Sequence, residues 1–406
     1  MTVQRRIVVH DYAGYAFPIQ LSRWLARQGH TVLHLHCQDV EAPHGPLAMR
    51  ADDPPELSVE GLSLGRPLPK YQLVRRWMQD GAYGVCLGRR ATAFRPDVIL
   101  STNCPPVTQS RLAAAAHRAR VPLVCWVQDI FAAGAAAAVR RWPAPVRWAA
   151  LRYLKATEYA TLRACAGLIL ITEDFVPLLK GEGVCHPHTT IIENWAPADE
   201  ITVRPKNNPW ARTHGLADVF VFLYAGTLGL KHNPGLLADL AHAYRGDAGT
   251  RVVVVSQGPG RAHLEAVKAA EGLNNLLLLD YQPFECVPDV LGTGDVLVTL
   301  LEDFAGAISA PSKTYAYFCA ERPIAAAAPA LNLARRLIER EDAGVCVDAT
   351  DRDGFLAAAH RLRDDPDLRA RLTAGQRRYA RTAFDIERIG PRFCSVLETA
   401  IGGMGG

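Results

Sequence analysis

The chain has 406 residues, more than one hydrophobic core usually supports, so its length predicts two domains. Hydrophobic residues make up 49% and charged residues 21%, a globular composition that excludes a disordered chain. The formal net charge is only +4, but residues 62–163 contain 16 Lys and Arg and 4 Asp and Glu. This segment therefore carries about +12 and the rest of the chain about −8.

The cysteines and the N-terminus exclude several other classes. The ten cysteines are scattered without a C-x-x-C pair, which favours buried reduced thiols over disulfides or a metal site. The N-terminal arginines lead into a short strand pattern, so no export signal is predicted, and a periplasmic binding protein is therefore not expected. No apolar run reaches the ~18 residues of a transmembrane helix. We expect a cytoplasmic protein.

Short apolar runs alternate with helical patterns along the whole chain, which predicts an α/β fold with parallel sheets. The proline-rich polar stretch 199–216 is predicted to be a linker. It separates a Rossmann-like, doubly wound domain at 1–198 from a second one at 217–384, and a final helix at 385–401 is expected to pack back on the first. The predicted strands are 6–10, 31–36, 97–101, 122–127, 167–172 and 189–194, then 219–226, 251–256, 275–280, 295–300, 323–328 and 344–348.

Three loops after predicted strands of the second domain have the residues that bind phosphate. Ligands collect at the carboxyl ends of parallel strands, where glycine lets phosphate approach backbone N–H groups. The first loop contains Gly226, Gly229 and Lys231, although a plain strand-to-helix turn also uses glycine. The second contains Gly258, Gly260 and Arg261. Neither matches a dinucleotide-binding or P-loop motif, which argues against a dehydrogenase or an ATPase.

The third loop leads into a helix that opens with Ser312, Lys313 and Thr314. A serine that caps a helix would explain Ser312 but not Lys313. The run GAISAPSKTYAYFCAERPI at 306–324 resembles the Pro-Ser-Lys segment of bacterial family-four glycosyltransferases of the exopolysaccharide, colanic-acid and O-antigen type. Further similar segments, in the same order, are Trp126 to Phe131, Glu193 to Trp195, Tyr224 to Lys231, Gln257 to Arg261 and Leu279 to Pro283.

The resemblance implies a GT-B fold, in which two Rossmann-like domains face each other across a cleft. It implies retaining transfer of a hexosyl or N-acetylhexosaminyl group from a nucleotide sugar, with UDP favoured over GDP. No cofactor or metal is expected, since we find no Asp-x-Asp triplet that would argue for one. The implied catalytic residues are Asp129, Lys231 and Lys313, and Asp129 has a structural cap as its alternative. The implied donor-binding residues are Gly14, Gly226, Gly229, Gly258, Gly260, Arg261, Tyr281, Gln282, Ser312 and Thr314, and the acceptor-side residues are Tyr12, Tyr15, Gln128 and Asn194.

The chain departs from the family pattern at three positions. Two glutamates that many members carry are replaced by Ile308 and Ala316, and the usual glycine at the end of that helix is Glu321. Ribose recognition is therefore expected to be different or weaker. These departures keep two alternatives open: a catalytically inactive GT-B binding or regulatory subunit, and a nucleotide-sugar epimerase.

The basic segment 62–163 has aromatic residues among its cations, as around Tyr71 to Trp77 and Arg140 to Lys155. Cations and indole rings suit an anionic membrane surface. An equally weighted alternative is a solvated helix face with its tryptophans in the core. Nucleic acid is not expected, since no recognised binding motif accompanies the charge. With the family's habits, this favours a polyprenyl-diphosphate-linked saccharide acceptor for an enzyme peripheral to the inner face of the membrane.

Overall fold

The computed structural model describes residues 3–40, 44–68, 72–140, 142–229, 232–303, 306 and 312–403, without the side chains of 137, 138 and 312. It contains two compact units. Unit 1 comprises Met1–Asn194 with Ile386–Gly406, and unit 2 comprises Trp195–Asp385.

Unit 1 is built on a parallel sheet with the strand order β3-β2-β1-β4-β5-β6-β7. Its strands are β1 Arg6–Asp11, β2 Thr31–Cys37, β3 Leu57–Leu62, β4 Val98–Thr102, β5 Leu123–Val127, β6 Gly167–Leu170 and β7 Thr189–Ile191. Its helices in this part of the chain are α1 Ala16–Arg27, α2 Leu73–Ala93, α3 Pro106–Ala119, α4 Phe131–Ala138, α5 Ala144–Ala164 and α6 Phe175–Gly181.

Unit 2 repeats this architecture with a parallel sheet of the order β10-β9-β8-β11-β12-β13. Its strands are β8 Phe220–Ala225, β9 Thr250–Val255, β10 Leu276–Leu279, β11 Val296–Leu300, β12 Ile324–Ala327 and β13 Gly344–Val347. Its helices are α7 Pro209–Thr213, α8 Gly235–Ala243, α9 Pro259–Glu271, α10 Val287–Thr293, α11 Ser312–Ala320, α12 Leu333–Arg340, α13 Arg352–Asp364 and α14 Pro366–Ala383, with a 3₁₀ turn at Phe284–Cys286.

The last helix, α15 at Ile386–Gly402, belongs to unit 1. Its Phe393 is fully buried, and the ring centroid lies 4.7 Å from that of Trp126 on β5. Gly390 packs against α1 so closely that a Cβ atom there would lie 2.4 Å from the indole of Trp24. Aromatic packing thus fixes α15 on the sheet of unit 1.

The strand order reverses at one place in each sheet. In unit 1, β2 and β3 are added on one side of β1, and β4 and the later strands are added on its other side, so the reversal lies between β1 and β4. In unit 2 the corresponding reversal lies between β8 and β11. Such a switch point leaves a crevice outside the carboxyl ends of the two strands, where ligands bind in open α/β sheets. The two switch points are therefore where a site is expected.

Two features differ from the sequence-based expectations. β3 was not predicted, because LSVEGL lies at the sheet edge and buries only its first residue, so it lacks the apolar run of a central strand. The expected linker at 199–216 packs within unit 2 instead. Asn208 caps α7 by accepting the backbone N–H of Ala211, and Trp210 is buried. Each of the twelve predicted strands is present, with its ends shifted by up to a few residues.

Candidate functional site

In unit 2 the switch point places the turn after β8 beside the first turn of α11. Gly226 begins this turn with a φ of +134°, a conformation that favours glycine. A Cβ atom at Gly226 would lie 3.5 Å from Cε of Lys313, so the lysine side chain lies directly over the turn. The backbone N–H of Gly226 donates to Val255 O at 3.0 Å, which ties the turn to β9.

Tyr224 positions the ammonium group of Lys313. The Nζ atom donates to the Tyr224 hydroxyl and lies 3.9 Å from the centroid of its ring, a cation–π geometry. The Tyr224 hydroxyl in turn donates to Thr227 O at 2.8 Å. Burial raises the pKa of Tyr224 well above its ordinary value, so this hydroxyl stays neutral. A cation is thus held at the carboxyl ends of β8 and β11.

Two further tyrosines fix the same turn. The Tyr317 hydroxyl on α11 accepts the N–H of Ala225 at 2.9 Å and lies 3.1 Å from its carbonyl oxygen, which joins α11 to the end of β8. The Tyr281 hydroxyl lies 2.6 Å from Oγ1 of Thr227. Tyr281, a predicted donor-binding residue, is therefore brought to the turn that Lys313 covers.

The loop after β9 is tightly packed against the turn. Gly258 caps α9 with a φ of +110°. A Cβ atom at Gly260 would lie 2.6 Å from Cγ of Leu228, so only glycine fits this close approach. The guanidinium of Arg261 donates to Ser256 O at 3.2 Å, to Glu265 at 2.9 Å and to Asp280. Arg261 therefore anchors its own loop, and its donor-binding role stays a prediction.

Gln282 and Thr314, two further predicted donor-binding residues, contact protein groups in the structure. The side-chain carbonyl of Gln282 accepts from Trp210 Nε1 at 3.0 Å, and its amide donates to Asp280 O at 3.0 Å. Thr314 is buried, with Oγ1 3.5 Å from that of Thr299 on β11. Their donor-binding role stays a prediction.

Several predicted residues have no described geometry. Lys231 and the segment 307–311, which includes Ile308, lie outside the described residues. Ser312 begins α11, but its side chain is not described. Gly229 is described, and its N–H donates to Nδ1 of His232 at 3.0 Å. The buried His232, which no sequence pattern singled out, closes this part of the turn.

In unit 1, the turn after β1 is organised by Asp11. Its carboxylate accepts the backbone N–H groups of Ala13, at 3.2 Å, and Tyr15. Burial raises the pKa of Asp11 to about 7, against the opposing effect of these N–H groups. Gly14 in this turn has a φ of +70°, and a Cβ atom there would lie 2.8 Å from Cδ1 of Leu47, so glycine is required for backbone and packing reasons.

The two tyrosines of this turn have different positions. Tyr12 was predicted on the acceptor side, but it is buried, and its hydroxyl donates to Asp80 and accepts from Arg76 at 2.8 Å. It therefore belongs to an interior polar cluster. Tyr15 precedes α1 and is partly exposed, with its ring stacked on Phe17 at 6.0 Å between centroids.

A small, open pocket lies beside the carboxyl ends of β4 and β5 in unit 1. It is lined by Gln128 and Asp129, both predicted site residues, and by Glu158 from α5. Gln128 donates to Oγ1 of Thr102 at 2.9 Å and accepts from Nδ2 of Asn194. The structure thus brings Gln128 and Asn194 into contact and places Asp129 on the pocket wall.

Glu158 is the pocket residue that the sequence did not reveal. Its two carboxylate oxygens accept the N–H groups of Phe131, at 2.9 Å, and Ala132, at 2.7 Å, at the N-terminus of α4. Burial raises the pKa of Glu158 to about 7, while these two N–H groups lower it and Asp129 raises it. The one available signal was that Glu158 is among only four acids in the basic segment. It fixes the short turn that contains Asp129.

The described part of the chain contains no group of three or more His, Cys, Asp or Glu side chains that could hold a metal ion. The polar groups gathered at the two switch points are instead an ammonium, carboxylates, amides and hydroxyls. In unit 2 the cation and the glycine turn can accommodate an anionic group such as a phosphate. In unit 1 the pocket offers hydrogen-bonding groups beside two carboxyl side chains.

The profile of Glycosyltransferase Family 4 matches residues 17–200, which lie almost entirely in unit 1. Comparison with curated proteins gives no significant sequence match. Solved structures match over nearly the whole chain. The fold and the family match define the class: the chain has the GT-B fold, with two parallel Rossmann-like sheets of seven and six strands.

Among these structures is HepE of Anabaena in complex with UDP and glucose, at 14% identity and a TM-score of 0.71, covering 98% of this chain and 100% of that chain. Sucrose-phosphate synthase of Thermosynechococcus elongatus matches at 14% identity and a TM-score of 0.70, with 98% and 100% coverage. An Escherichia coli trehalose-6-phosphate protein bound to UDP-2-fluoro glucose matches at 13% identity and a TM-score of 0.67, with 97% and 98% coverage.

Proposed function

We propose that this protein is a glycosyltransferase that transfers a sugar from a UDP-sugar to a saccharide acceptor, with retention of the anomeric configuration and without a metal ion. The observation that carries the proposal is the position of Lys313. Its ammonium group is held by Tyr224 over the turn at Gly226, at the switch point of unit 2. A GT-B fold with a cation there suits a nucleoside diphosphate.

Lys313 would act on the leaving group. Breaking the bond between sugar and phosphate develops negative charge on the departing diphosphate, and a preorganised cation lowers the energy of that state. The contacts of Tyr224 and Tyr317 restrain Lys313 and the turn before the substrate arrives, so little reorganisation is needed. The N-terminus of α11 contributes the partial positive charge of its backbone N–H groups to the same place.

The pocket of unit 1 is assigned to the acceptor. Gln128 and Asn194 supply amide groups, and Asp129 supplies a carboxylate that can orient an acceptor hydroxyl. A double displacement would need a carboxylate nucleophile beneath the anomeric carbon. We favour attack from the face that the diphosphate leaves, with the leaving phosphate accepting the proton of the acceptor hydroxyl.

UDP is the proposed nucleotide because two of the structures that share this fold contain UDP or a UDP-sugar analogue. The proposed acceptor is a lipid-linked saccharide, for which the positive charge of residues 62–163 provides the support. A hexosyl or N-acetylhexosaminyl group fits the resemblance of the Pro-Ser-Lys segment.

Calorimetric titration with UDP, GDP, dTDP and ADP, each with and without magnesium, tests the donor site. We expect UDP to bind without magnesium, and Lys313→Ala to weaken its binding roughly 10- to 100-fold, since a hydrogen bond to a charged group contributes about 1.5–3 kcal/mol. Lys268→Ala, which removes a lysine from α9 of the same unit, is the matched control and should bind like the wild type. Absence of nucleotide binding, or binding that ignores Lys313, would refute the site.

Incubation with UDP-sugars and lipid-linked saccharides then tests the chemistry. A new glycosidic bond with the anomeric configuration of the donor is expected by NMR. Donor binding without transfer or hydrolysis would favour the alternative of a catalytically inactive subunit. That alternative is supported by Ala316 on α11, which stands where many family members carry a glutamate. Conversion of the UDP-sugar to its epimer without an acceptor would favour the epimerase.

A further inference from the structure

The pocket of unit 1 has the opposite charge to the segment that builds it. All the residues that line the pocket lie within 62–163, where 16 Lys and Arg stand against 4 Asp and Glu. Two of these four acids, Asp129 and Glu158, are on the pocket wall. The described residues that line the pocket include no Lys, Arg or His. A site for an anion would instead gather cations.

The helix α5 shows how the charges are separated. It turns Glu158 and Leu162 towards the pocket, and both side chains are buried. Its cations Arg152, Lys155 and Arg163 are exposed and do not line the pocket. At this helix the positive charge therefore lies on the surface of unit 1, while the side that faces the pocket is acidic.

The negative charge of Glu158 is compensated without a cation. Its two oxygens accept the N–H groups of Phe131, at 2.9 Å, and Ala132, at 2.7 Å, at the N-terminus of α4. Such N–H groups stabilise a carboxylate. The pocket therefore needs no bound cation to hold this charge, and an anion that entered would meet it together with Asp129.

The two glutamines of the pocket offer N–H groups. The side-chain carbonyl of Gln128 accepts from Nδ2 of Asn194, and that of Gln109 accepts from Oγ of Ser101 at 2.8 Å. Each amide nitrogen carries two N–H groups and donates one of them within the described part of the chain. The pocket thus combines amide donors with carboxyl acceptors.

This combination matches the hydroxyl groups of an uncharged sugar. A hydroxyl donates to a carboxylate and accepts from an amide N–H at the same time. A carboxylate or phosphate has only acceptor oxygens when ionised, and two like charges inside a protein repel each other strongly. The apolar side chains of Val127, Phe131 and Leu162 on the pocket wall suit the C–H groups of a sugar ring.

We propose that the pocket of unit 1 binds an uncharged sugar residue of the acceptor, a neutral hexose, deoxyhexose or N-acetylhexosamine, and excludes uronic acids and phosphorylated sugars. The inference rests on the proposed function, which assigns this pocket to the acceptor. Asp129 and Glu158 exclude the anion, and Gln109 and Gln128 hold hydroxyl oxygens. The diphosphate and lipid of a lipid-linked acceptor would lie outside the pocket. None of the helices in the described parts of the chain is long and apolar enough to cross a membrane.

Saturation-transfer NMR with matched pairs of methyl glycosides tests this selectivity. The pairs are glucoside and glucuronide, galactoside and galacturonide, and mannoside and mannuronide, so each pair differs only by a carboxylate at C6. At pH 8 and without nucleotide, we expect the neutral member of at least one pair to bind at least tenfold more tightly than the acidic one. Equal affinities, tighter binding of the acidic members, or no binding of any neutral glycoside overturns the proposal.

Replacing Asp129 with asparagine removes one charge and keeps the shape of the side chain. The ratio of the two affinities should then fall at least threefold, because the acidic glycoside binds more tightly. Glu182→Gln, which removes an acid that pairs with Lys155 on the surface of the same unit, is the matched control and should leave the ratio unchanged. An unchanged ratio in Asp129→Asn, or an equal fall in the control, overturns the proposal.

A measurement on the wild type does not depend on the folding of any variant. Burial raises the pKa of Glu158 to about 7, so this carboxyl is ionised at pH 8 and largely neutral at pH 6. Asp129 is the other charged side chain among the described residues that line the pocket. Uronic acids stay ionised over this range, so the ratio should be smaller at pH 6 than at pH 8. A ratio that is the same at both pH values, or larger at pH 6, contradicts the role of Glu158 in excluding anions.

UDP titration keeps this test separate from the proposed function. Selective binding of neutral glycosides by a protein that binds no UDP would leave the selectivity of the pocket standing while the donor site fails. Transfer from a UDP-sugar to a uronide as readily as to its neutral counterpart would overturn the inference while the proposed function stands.

Discussion

Replacing Glu158 with glutamine keeps the volume of the side chain and removes its ionisation from the pocket of unit 1. The pKa of Glu158 is raised from 4.5 to about 7, chiefly by burial. Between about pH 4.5 and pH 7 the folded chain therefore holds a proton that the unfolded chain releases. The stability that this carboxyl contributes is full below pH 4.5 and is lost as the pH rises through 7.

The size of the effect follows from the shift. Between pH 5 and pH 8, Glu158 should lose roughly 2 to 3 kcal/mol of its contribution, and Glu158→Gln should lose none. The other titrating groups contribute equally to the free energies of unfolding of the two proteins, so their contributions cancel when one is subtracted from the other. Glutamine also turns one N–H₂ group towards the backbone N–H of Phe131 or Ala132, and this costs about 1–3 kcal/mol at every pH. The variant should therefore be clearly less stable than the wild type at pH 5 and nearly equal to it at pH 8.

Urea unfolding at pH 5, 6, 7 and 8, followed by hydrogen–deuterium exchange of α4 and α5, measures this difference in unit 1. The control is Glu182→Gln, which makes the same chemical change in a partly exposed side chain that pairs with Lys155. A stability difference between Glu158→Gln and the wild type that varies by less than about 0.5 kcal/mol over this range would refute the reasoning.

Two further predictions concern the packing and titration of unit 1. Gly390→Ala should destabilise it by about 1–3 kcal/mol in urea unfolding, because the new methyl group would meet the buried indole of Trp24 at 2.4 Å; Gly402→Ala in the same helix meets nothing and is the control. His34→Leu should gain roughly 2 kcal/mol over the wild type between pH 7 and pH 5. Burial lowers the folded pKa of His34 well below 6.5, so stability present above pH 6.5 is lost as the pH falls. A pH-independent difference would contradict this.

The fold was readable from the sequence because buried parallel strands are continuous apolar runs. Three strands show such runs: β9 contains VVVV, β10 is LLLL and β5 is LVCWV. β3 was not predicted because it is an edge strand in which only the first residue is buried, so its sequence lacks an apolar run. The stretch before β8 was mistaken for a linker because its proline and polar residues resemble loop composition, whereas burial of Trp210 depends on packing that sequence does not show.

The candidate site was readable only in part, for a similar reason. Motifs identified Gly226 and Lys313 separately, but their contact depends on β8 and β11 being neighbours, and Tyr224 and Lys313 are 89 residues apart. Glu158 had no motif, because it acts through two backbone N–H groups of another helix. The tryptophans of the basic segment were equally ambiguous: the structure buries Trp126 and exposes Trp148.

The glycines and the lysine of the unit 2 site have different explanations, and the difference can be measured. Gly226 and Gly260 are required by backbone conformation and close packing, so they would be present in a turn that binds nothing. The ammonium of Lys313 contacts Tyr224, but that contact does not require a cation, because the Tyr224 hydroxyl also donates to Thr227 O. A partly buried ammonium loses hydration, and methionine could pack on the Tyr224 ring equally well. Lys313→Met should therefore unfold within about 1 kcal/mol of the wild type but lose UDP binding. A loss of more than about 2 kcal/mol, with UDP affinity unchanged, would show that the lysine serves the fold.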